Sequence, residues 1–159
     1  MKEIYIILLL ILTLSCTSNQ KHILVLDNEH DLTEVQIDKL DSLFKSHEKK
    51  TSNEIALVTT NDYGTDTSIL FFAVNFGRKY GIGKKGKDNG VVIAFSSSKR
   101  AAMISTGYGI EKILKDEIAK KIIDSLMVPL FKEGKIFDGI WKGSKAIVDF
   151  LEKPENEIK

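Results

Sequence analysis

The stretch of residues 88–116 constrains the fold of this chain most. Residues 91–95 form a near-continuous apolar run, and residues 100–106 form a second extended run after a short polar segment. Two short runs joined by a few polar residues predict a β-hairpin. In an antiparallel pair the start of the first strand lies beside the end of the second. We therefore expect residues 88–90 to lie next to residues 106–109.

This end of the hairpin gathers glycines and polar side chains. The residues expected to shape its loops are Asn89, Gly90, Gly107, Tyr108 and Gly109. The carboxylates of Asp88, Glu111 and Asp116 belong to the same stretch, and hard oxygen ligands of this kind are preferred by Ca²⁺ and Mg²⁺. The residues alone allow a structural interpretation equally well. D-N-G is a turn sequence, and Asp116 could cap the helix that follows it.

The hairpin carries a family resemblance. DNGVVIAF followed by R-x-x-x-I-x-T-G-Y-G-I-E resembles the TPM domain family, whose members are bacterial envelope domains related to thylakoid-lumen proteins of photosystem II repair with reported acid phosphatase activity. Four further motifs extend the similarity from about Val25 to Leu151. They are V-L-D at 25–27, L-T-x-x-Q at 32–36, Y-G-I-G at 80–83 and P-L-F-K-E-G at 129–134.

The resemblance implies a divalent-cation site, since some family members bind such metals. Asp27 matches an early acidic position of the family, so the expected ligands are Asp27, Asp88, Glu111 and Asp116, with Ca²⁺ or Mg²⁺ as the cofactor. If the domain is a phosphatase, the metal would polarise a phosphoryl oxygen or activate a water molecule. Asp88 is then the expected catalytic base or nucleophile. The alternative is a non-catalytic interaction or assembly and repair module of the cell envelope.

The order of apolar segments predicts an α/β fold. A strand, a helix and a strand over residues 54–95 indicate a right-handed βαβ crossover, and runs that are apolar on both faces suit a sheet covered on both sides. We expect a three-layer α/β/α sandwich with a mixed sheet of about four strands and helices on both faces. Helices are predicted from Thr33, which has capping-box spacing to Gln36, over 68–80, from Asp116 to before Pro129, and over 137–151.

The first sixteen residues predict a lipoprotein signal peptide. An apolar run of signal-peptide length, residues 4–14, is followed by Ser15 and Cys16. Cys16, the only cysteine, is the expected lipid acceptor; an ordinary signal peptide that happens to contain a cysteine is the alternative. The protein would then be lipid-anchored to a bacterial membrane and face the periplasm or the exterior. Residues 17–22 would be a tether, residues 23–153 a single domain, and residues 154–159 a disordered tail.

Several other function classes are not favoured. The net charge is +1 and no basic stripe with interleaved aromatic residues occurs, so no nucleic-acid binding is expected. The G-x-G-x-x-G at residues 81–86 follows a predicted helix rather than a strand, which is the wrong context for a dinucleotide site. The histidines lack zinc spacing, and His47 is expected on a partly exposed helix face. The domain itself is expected to be monomeric, with a possible envelope protein as a partner.

Overall fold

The computed structural model describes residues 24–157, and four strands form its sheet. The strands are β1 (Val25–Asp27), β2 (Glu54–Thr59), β3 (Gly90–Ser96) and β4 (Ala101–Thr106). They lie in the order β1-β2-β3-β4. The first three are parallel, and β4 pairs antiparallel with β3. The predicted mixed sheet of four strands is therefore confirmed. The predicted signal peptide, with Cys16, and the tether lie outside the described residues.

Helices cover both faces of the sheet, as predicted. They are α1 (Glu34–Thr51), α2 (Ile69–Tyr80), the short α3 (Tyr108–Glu111), α4 (Asp116–Ile122), α5 (Val128–Lys132) and α6 (Ile136–Leu151). A π-helical turn, Ile123–Met127, joins α4 to α5, and a 3-10 turn, Pro154–Asn156, follows α6. Within residues 24–157, no helix has both the length and the apolar character needed to cross a membrane.

The two central strands divide the core into two clusters. Alternate side chains of a strand point to opposite faces. Leu57 and Ile93 therefore pack with α1 and α6 on one face, while Ala56 and Val92 pack with α2 on the other. Every residue of β2 and β3 is buried. The hairpin thus supplies the centre of the sheet, as its apolar run predicts.

The helix ends test the capping predictions. The Thr33 side chain accepts the backbone N–H of Gln36 and the Gln36 side chain accepts that of Thr33, so the predicted capping box is present. The prediction that Asp116 caps α4 is wrong, because Lys115 occupies the N-cap position and Asp116 is the first helical residue. The expected end of that helix before Pro129 is also wrong. Pro129 is the second residue of α5, which continues directly from the π-helical turn.

His47 differs from expectation as well, and it contacts the segment after α6. His47 is fully buried rather than partly exposed. Its Nδ1 lies 3.2 Å from Glu152 Oε1, a residue just beyond α6. The tail predicted to be disordered begins with the 3-10 turn, and the Asn156 side chain donates to the carbonyl of Phe150 at 2.8 Å. These contacts connect the C-terminal segment to α1 and α6.

Candidate functional site

The sheet has two ends that carry polar residues. We call the end where the parallel strands begin the amino edge and the end where they finish the carboxyl edge. At the amino edge Glu54 is in register with Gly90, and the N–H of Gly107 donates to the carbonyl of Gly90 at 2.9 Å. The hairpin therefore brings residues 88–90 beside residues 106–109, as the sequence predicts.

Four glycines at the amino edge allow one backbone to pack directly on another. A Cβ placed on Gly90 would lie 2.2 Å from the carbonyl oxygen of Ile82, and one on Gly107 would lie 2.3 Å from that of Asp88. A Cβ on Gly109 would lie 2.0 Å from the carbonyl oxygen of Lys87, and one on Gly83 2.6 Å from the nitrogen of Gly90. We call Gly83, Gly90, Gly107 and Gly109 the glycine junction. The absence of a side chain at these four positions is what allows the backbone segments to pack in contact.

Asn89 connects three segments beneath this junction. Asn89 is 1% exposed. Its side-chain NH2 group donates to the carbonyl of Ser52 at 2.8 Å and to Asn53 Oδ1 at 3.1 Å. Its Oδ1 accepts the backbone N–H of Lys84 at 2.7 Å. A buried amide with all these partners holds the loop before β3 against the start of β2.

Glu54 also binds the loop before β3, through Gly83 and Lys84. Its Oε2 accepts the N–H of Gly83 at 2.7 Å, and its Oε1 pairs with the ammonium of Lys84. Lys84 also pairs with Glu48 at 2.6 Å. The hydrogen bonds that the Lys84 ammonium donates to Glu48 and Glu54 raise the pKa of Lys84. The G-x-G-x-x-G segment is thus a loop fixed by buried polar groups.

Asp88 itself lies on the surface at this edge. Its backbone is in the left-handed region, with φ of 48°, and its carbonyl accepts the N–H of Gly109 at 3.0 Å. The residue contributes to a cleft of about 680 Å³ between α2 and β4, which we call the α2 cleft. Arg78, Lys85 and Tyr108 also line this cleft. The cationic side chains of Arg78 and Lys85 near Asp88 would attract an anion to this cleft.

The other predicted ligands are placed differently. Glu111 is exposed in α3, Asp116 is exposed at the start of α4, and Asp27 lies at the opposite, carboxyl edge, in register with Thr59. Within residues 24–157, no three His, Cys, Asp or Glu side chains are arranged to hold a metal ion. Asp27 and Asp88, at opposite ends of the strands, do not form one ligand set.

The Asp27 carboxylate instead accepts hydrogen bonds from the loop that follows β1. Its Oδ1 accepts the hydroxyl of Thr59 at 2.5 Å and the N–H of Asp31 at 3.2 Å. Its Oδ2 accepts the N–H of Leu32 at 2.8 Å. The carboxylate thereby fixes the turn that leads from β1 to α1.

Two further carboxylates adjoin Asp27, and we call Asp27, Glu29 and Asp31 the acidic corner. Glu29 accepts the N–H of Ser97 at 2.9 Å and the hydroxyl of Ser98 at 2.6 Å. Partial burial opposes ionisation of Glu29, but these serine hydrogen bonds outweigh it and lower its pKa. The chain after β3 is thus joined to the loop after β1.

Asp31 is the unsatisfied member of the acidic corner. Its Oδ2 is buried and has no hydrogen-bond partner among the described residues. Burial, followed by the negative charges of Glu29 and Asp27, raises the pKa of Asp31, although the Ser97 side chain opposes part of this shift. Buried polar atoms in native proteins nearly always have a partner. This oxygen therefore marks a place where a cation or a water molecule would be stabilised.

Tyr63 adds a second buried oxygen to this edge. Its hydroxyl also lacks a partner within the described part of the chain. Burial raises the pKa of Tyr63, Ser96 offsets part of this increase, and the charge of Glu29 adds a smaller increase. The ammonium of Lys99 lies 4.3 Å from the centre of the Tyr63 ring. The carboxyl edge thus combines acids, hydroxyl groups and two unpartnered oxygen atoms.

Sequence reasoning missed Glu29, Asp31, Tyr63 and residues 96–98 as candidate site residues. A signal was present, because D-N-E-H-D begins at the last residue of β1 and S-S-S overlaps the end of β3. Parallel strands finish at the same edge, and ligands of open α/β sheets bind outside the carboxyl ends of the strands. The parallel pairing of β1 was needed to connect the two segments.

A protein-family model matches most of the chain. A family model described as TPM_phosphatase, TPM domain, matches residues 25–150. No curated protein sequence is significantly similar to the chain.

Three solved structures share its fold. The N-terminal domain of a protein from P. gingivalis has a TM-score of 0.76 and 26% identity, covering 86% of each chain. The BA42 protein of the psychrophilic bacterium Bizionia argentinensis has a TM-score of 0.64 and 18% identity, covering 79% of this chain and 88% of its own. The N-terminal domain of the cg2496 protein from Corynebacterium glutamicum has a TM-score of 0.64 and 10% identity, covering 86% of this chain and 84% of its own.

Proposed function

Because the chain belongs to the TPM domain family, we propose that it is a lipid-anchored cell-envelope domain that binds a divalent cation, Ca²⁺ or Mg²⁺, at its carboxyl edge. The observation that carries this proposal is the buried, unpartnered Oδ2 of Asp31 in the acidic corner. Burial is the main cause that raises the pKa of Asp31, and the negative charges of Glu29 and Asp27 add to it because they repel its ionised form. A bound cation would relieve that repulsion and supply the missing partner.

The donor chemistry of this edge suits a hard cation. Ca²⁺ accepts carboxylate, hydroxyl, carbonyl and water oxygens in flexible geometry, and Mg²⁺ keeps several waters when it binds one or two carboxylates. Asp31 would hold the ion, and Glu29 would join it by releasing one of its serine hydrogen bonds. Since Asp27 is committed to the loop, its contribution is the charge. The ligands are not fully preorganised, so moderate affinity is expected.

Thermal unfolding with chelator and with millimolar Ca²⁺ or Mg²⁺ tests this proposal. A cation that binds only the folded state raises the melting temperature. Wild type is therefore expected to melt at a higher temperature with cation. Asp31→Asn should abolish the cation response, because it removes the unpartnered charge, and it should leave the metal-free protein as stable or slightly more stable.

Asp88→Asn is the matched control, since it makes the same chemical change at the amino edge. This variant should keep the full cation response. The reverse pattern, with the response lost in Asp88→Asn and kept in Asp31→Asn, would place the site at the amino edge, as the sequence predicts. Absence of any response in wild type would refute cation binding. Calorimetric titration of the same three proteins checks that the shift reports binding.

The phosphatase activity and the catalytic role of Asp88 stay predictions. The cationic side chains of Arg78 and Lys85 in the α2 cleft would attract a phosphate ester towards Asp88. Hydrolysis of p-nitrophenyl phosphate by wild type and by Asp88→Asn checks this role. If activity is present and Asp88→Asn retains it, Asp88 is not the catalytic group.

The lipid anchor rests on the apolar run that ends at Ser15 and Cys16. Intact-mass analysis of protein from the membrane fraction should give a mature chain that begins at Cys16 and carries acyl groups. Cys16→Ala should accumulate as an unprocessed precursor. An unlipidated mature chain with a different first residue would contradict the anchor and leave the cation proposal untouched.

A further inference from the structure

A second cleft lies between the β3–β4 hairpin and the helical segment from residue 123 to residue 136, and we call it the α5 cleft. Its volume is about 650 Å³, and pockets that hold small molecules in proteins usually have roughly 300–1,000 Å³. Such pockets have mainly apolar walls and a few polar groups that orient the ligand. The α5 cleft fits this description, because its polar lining residues are Ser97, Arg100 and Lys132 and the others are apolar.

The apolar wall of the α5 cleft combines two aromatic rings with the π-helical turn. Phe95 is only 2% exposed, and the centre of its ring lies 4.6 Å from that of Phe131. Ile123 begins the π-helical turn, Val128 follows it directly, and both line the cleft. Turns of this kind are rare and occur frequently at functional sites. An apolar ligand would therefore contact rings and branched side chains that the fold already holds in place.

The two cationic side chains of the cleft have no ion-pair partner in the part of the chain that the structure describes. Arg100 and Lys132 are both exposed, and neither takes part in an ion pair within residues 24–157. No carboxylate is among the described residues that line the cleft. Two uncompensated positive charges beside an apolar wall attract an anion.

Two carboxylates directly follow lining residues in the chain, and both are paired with lysines. Asp124 pairs with Lys120 at 2.5 Å, and Glu133 pairs with Lys135 at 2.8 Å. Glu29, at the carboxyl edge, accepts serine hydrogen bonds instead. An anion from outside the domain is thus the partner that the charges of the α5 cleft lack.

The backbone of Arg100 indicates that its side chain has a role beyond the turn. Its φ is 52°, in the left-handed region that glycine adopts freely and asparagine tolerates. An arginine there makes the turn before β4 less stable than glycine or asparagine would. Strained residues of this kind cluster at ligand sites, and the planar guanidinium can bind a carboxylate through two hydrogen bonds.

We propose that the α5 cleft binds a small molecule that has an apolar body and one carboxylate. The body would lie against Phe95 and Phe131, and the carboxylate would pair with Arg100 and Lys132. This proposal does not rest on cation binding, because none of these four residues belongs to the acidic corner.

A membrane surface is a poorer occupant of this cleft. Protein surfaces that enter a bilayer present protruding apolar side chains, whereas Phe95 is buried and Phe131 is half-buried. A concave site with a buried floor suits a separate small molecule. The large apolar side chains that are exposed within residues 24–157 all lie outside the cleft, and they are Val35, Leu70, Phe71, Tyr80 and Tyr108.

Titration calorimetry with straight-chain acids tests the proposal on the full chain in nanodiscs of neutral phosphatidylcholine. Empty nanodiscs give the blank for partitioning into the lipid. Burial of one CH₂ group improves affinity by up to about fourfold, so octanoate should bind about tenfold more tightly than hexanoate. 1-Octanol has the same apolar body without the charge and should bind about tenfold more weakly than octanoate. Added salt should weaken the binding of octanoate but not that of 1-octanol.

Four variants locate the site, and their melting temperatures verify folding. Arg100→Asn and Lys132→Gln should each weaken octanoate binding by about fivefold or more and leave 1-octanol binding unchanged. Arg100→Asn should melt no lower than wild type, because asparagine tolerates the left-handed backbone. Lys49→Gln removes an exposed lysine of α1 outside the cleft and should bind octanoate as wild type does. Ala102→Leu fills part of the cleft and should make hexanoate bind more tightly than octanoate.

The proposal is wrong if wild type does not bind octanoate, if 1-octanol binds as tightly, or if Lys49→Gln weakens binding as much as Lys132→Gln. An unchanged chain-length preference in Ala102→Leu also places the acid outside the α5 cleft. Hydrogen exchange of the fragment spanning residues 123–136 should slow with octanoate. If nanodiscs that contain anionic phosphatidylglycerol slow this exchange without added acid, a lipid headgroup occupies the cleft and the proposal of a small-molecule ligand is overturned.

Discussion

At the scale of single residues, the motifs that carry the family resemblance are mainly architectural. The glycine junction lets the loop before β3 and the start of α3 pack backbone against backbone. The Asn89 side chain makes three hydrogen bonds to neighbouring segments. Polar residues next to glycines favour a chemical interpretation when only the sequence is considered. Their contacts here explain the same pattern by the satisfaction of buried polar groups.

Gly109→Ala distinguishes packing from helix propensity at this junction. Gly109 lies in α3, and propensity alone predicts that alanine would stabilise a helix by about 1 kcal/mol. The added Cβ would lie 2.0 Å from the carbonyl oxygen of Lys87, so we expect a loss of about 1–3 kcal/mol. Urea unfolding measures the sign. A stabilised variant would show that the junction tolerates a side chain.

At the scale of elements, the sequence predicted those with strong periodicity or clear caps. The apolar run of β3, the capping box of α1 and the apolar face of α2 were sufficient. The start of α4 was not predictable, because Asp116 fits both an N-cap and a first-turn position. The local sequence also gives no signal for the π-helical turn, Ile123–Met127. This turn packs against α6.

Two alanine variants test the assignment of the caps. Thr33→Ala should destabilise the domain by about 1 kcal/mol, because it removes the side chain that caps α1. Asp116→Ala should have a smaller effect, since Asp116 makes no capping hydrogen bond and only its charge favours the helix N-terminus. Thermal unfolding at neutral pH compares them. An equal or larger loss for Asp116→Ala would restore it as the cap of α4.

Ile93→Asp tests the position of β3 at the centre of the sheet. Ile93 is fully buried, and an unpaired buried charge costs several kcal/mol. We expect no soluble folded protein, judged by gel filtration and circular dichroism. Val35→Asp is the matched control, because Val35 is 77% exposed on α1 and should tolerate the charge. A folded Ile93→Asp protein would place the hairpin outside the core.

At the scale of the whole molecule, the fold was predictable but the ligand set was not. The βαβ crossover and the hairpin determine the order of β2, β3 and β4, and these imply a covered sheet. Whether Asp27 lies near Asp88 depends on the direction in which three residues, Val25–Asp27, pair with β2. Such a short strand carries no periodicity. Its parallel pairing places Asp27 and Asp88 at opposite ends and creates the acidic corner.

His47 makes the stability of the whole domain depend on pH. Burial lowers its pKa from the usual value of 6.5, although Glu152 partly offsets this effect. The unfolded chain therefore binds the proton more readily than the folded protein. The stability that neutral His47 contributes is fully present above the pKa that His47 has in the unfolded chain. It is lost as the pH falls towards the lower pKa that His47 has in the folded protein. Denaturant unfolding from about pH 7.5 to about pH 5 should show wild type losing stability faster than His47→Gln. Parallel curves would show that His47 does not titrate in this range.

The domain boundary also depends on contacts between α1 and the segment that follows α6. The family match finishes at residue 150, yet Glu152 accepts the ammonium of Lys50 at 3.0 Å and pairs with buried His47. Removing Glu152 leaves the His47 ring without that partner, and loss of a partner to a buried polar group costs about 1–3 kcal/mol. A chain ending at Leu151 should therefore be less stable by about this amount than one ending at Glu157.

A substitution separates the ion pair from the chain end. Glu152→Gln in the full chain removes the carboxylate charge but keeps the 3-10 turn and its Asn156 hydrogen bond to Phe150. This variant should lose part of the stability that the shorter chain loses, because an amide oxygen still accepts a hydrogen bond but no longer offsets the charge of Lys50. Denaturant unfolding at one pH compares the free energies of unfolding of four proteins: the full chain, Glu152→Gln, the chain ending at Glu157 and the chain ending at Leu151. If the chain ending at Leu151 equals the one ending at Glu157, the domain is complete at α6 and the contacts of Glu152 contribute nothing to its stability.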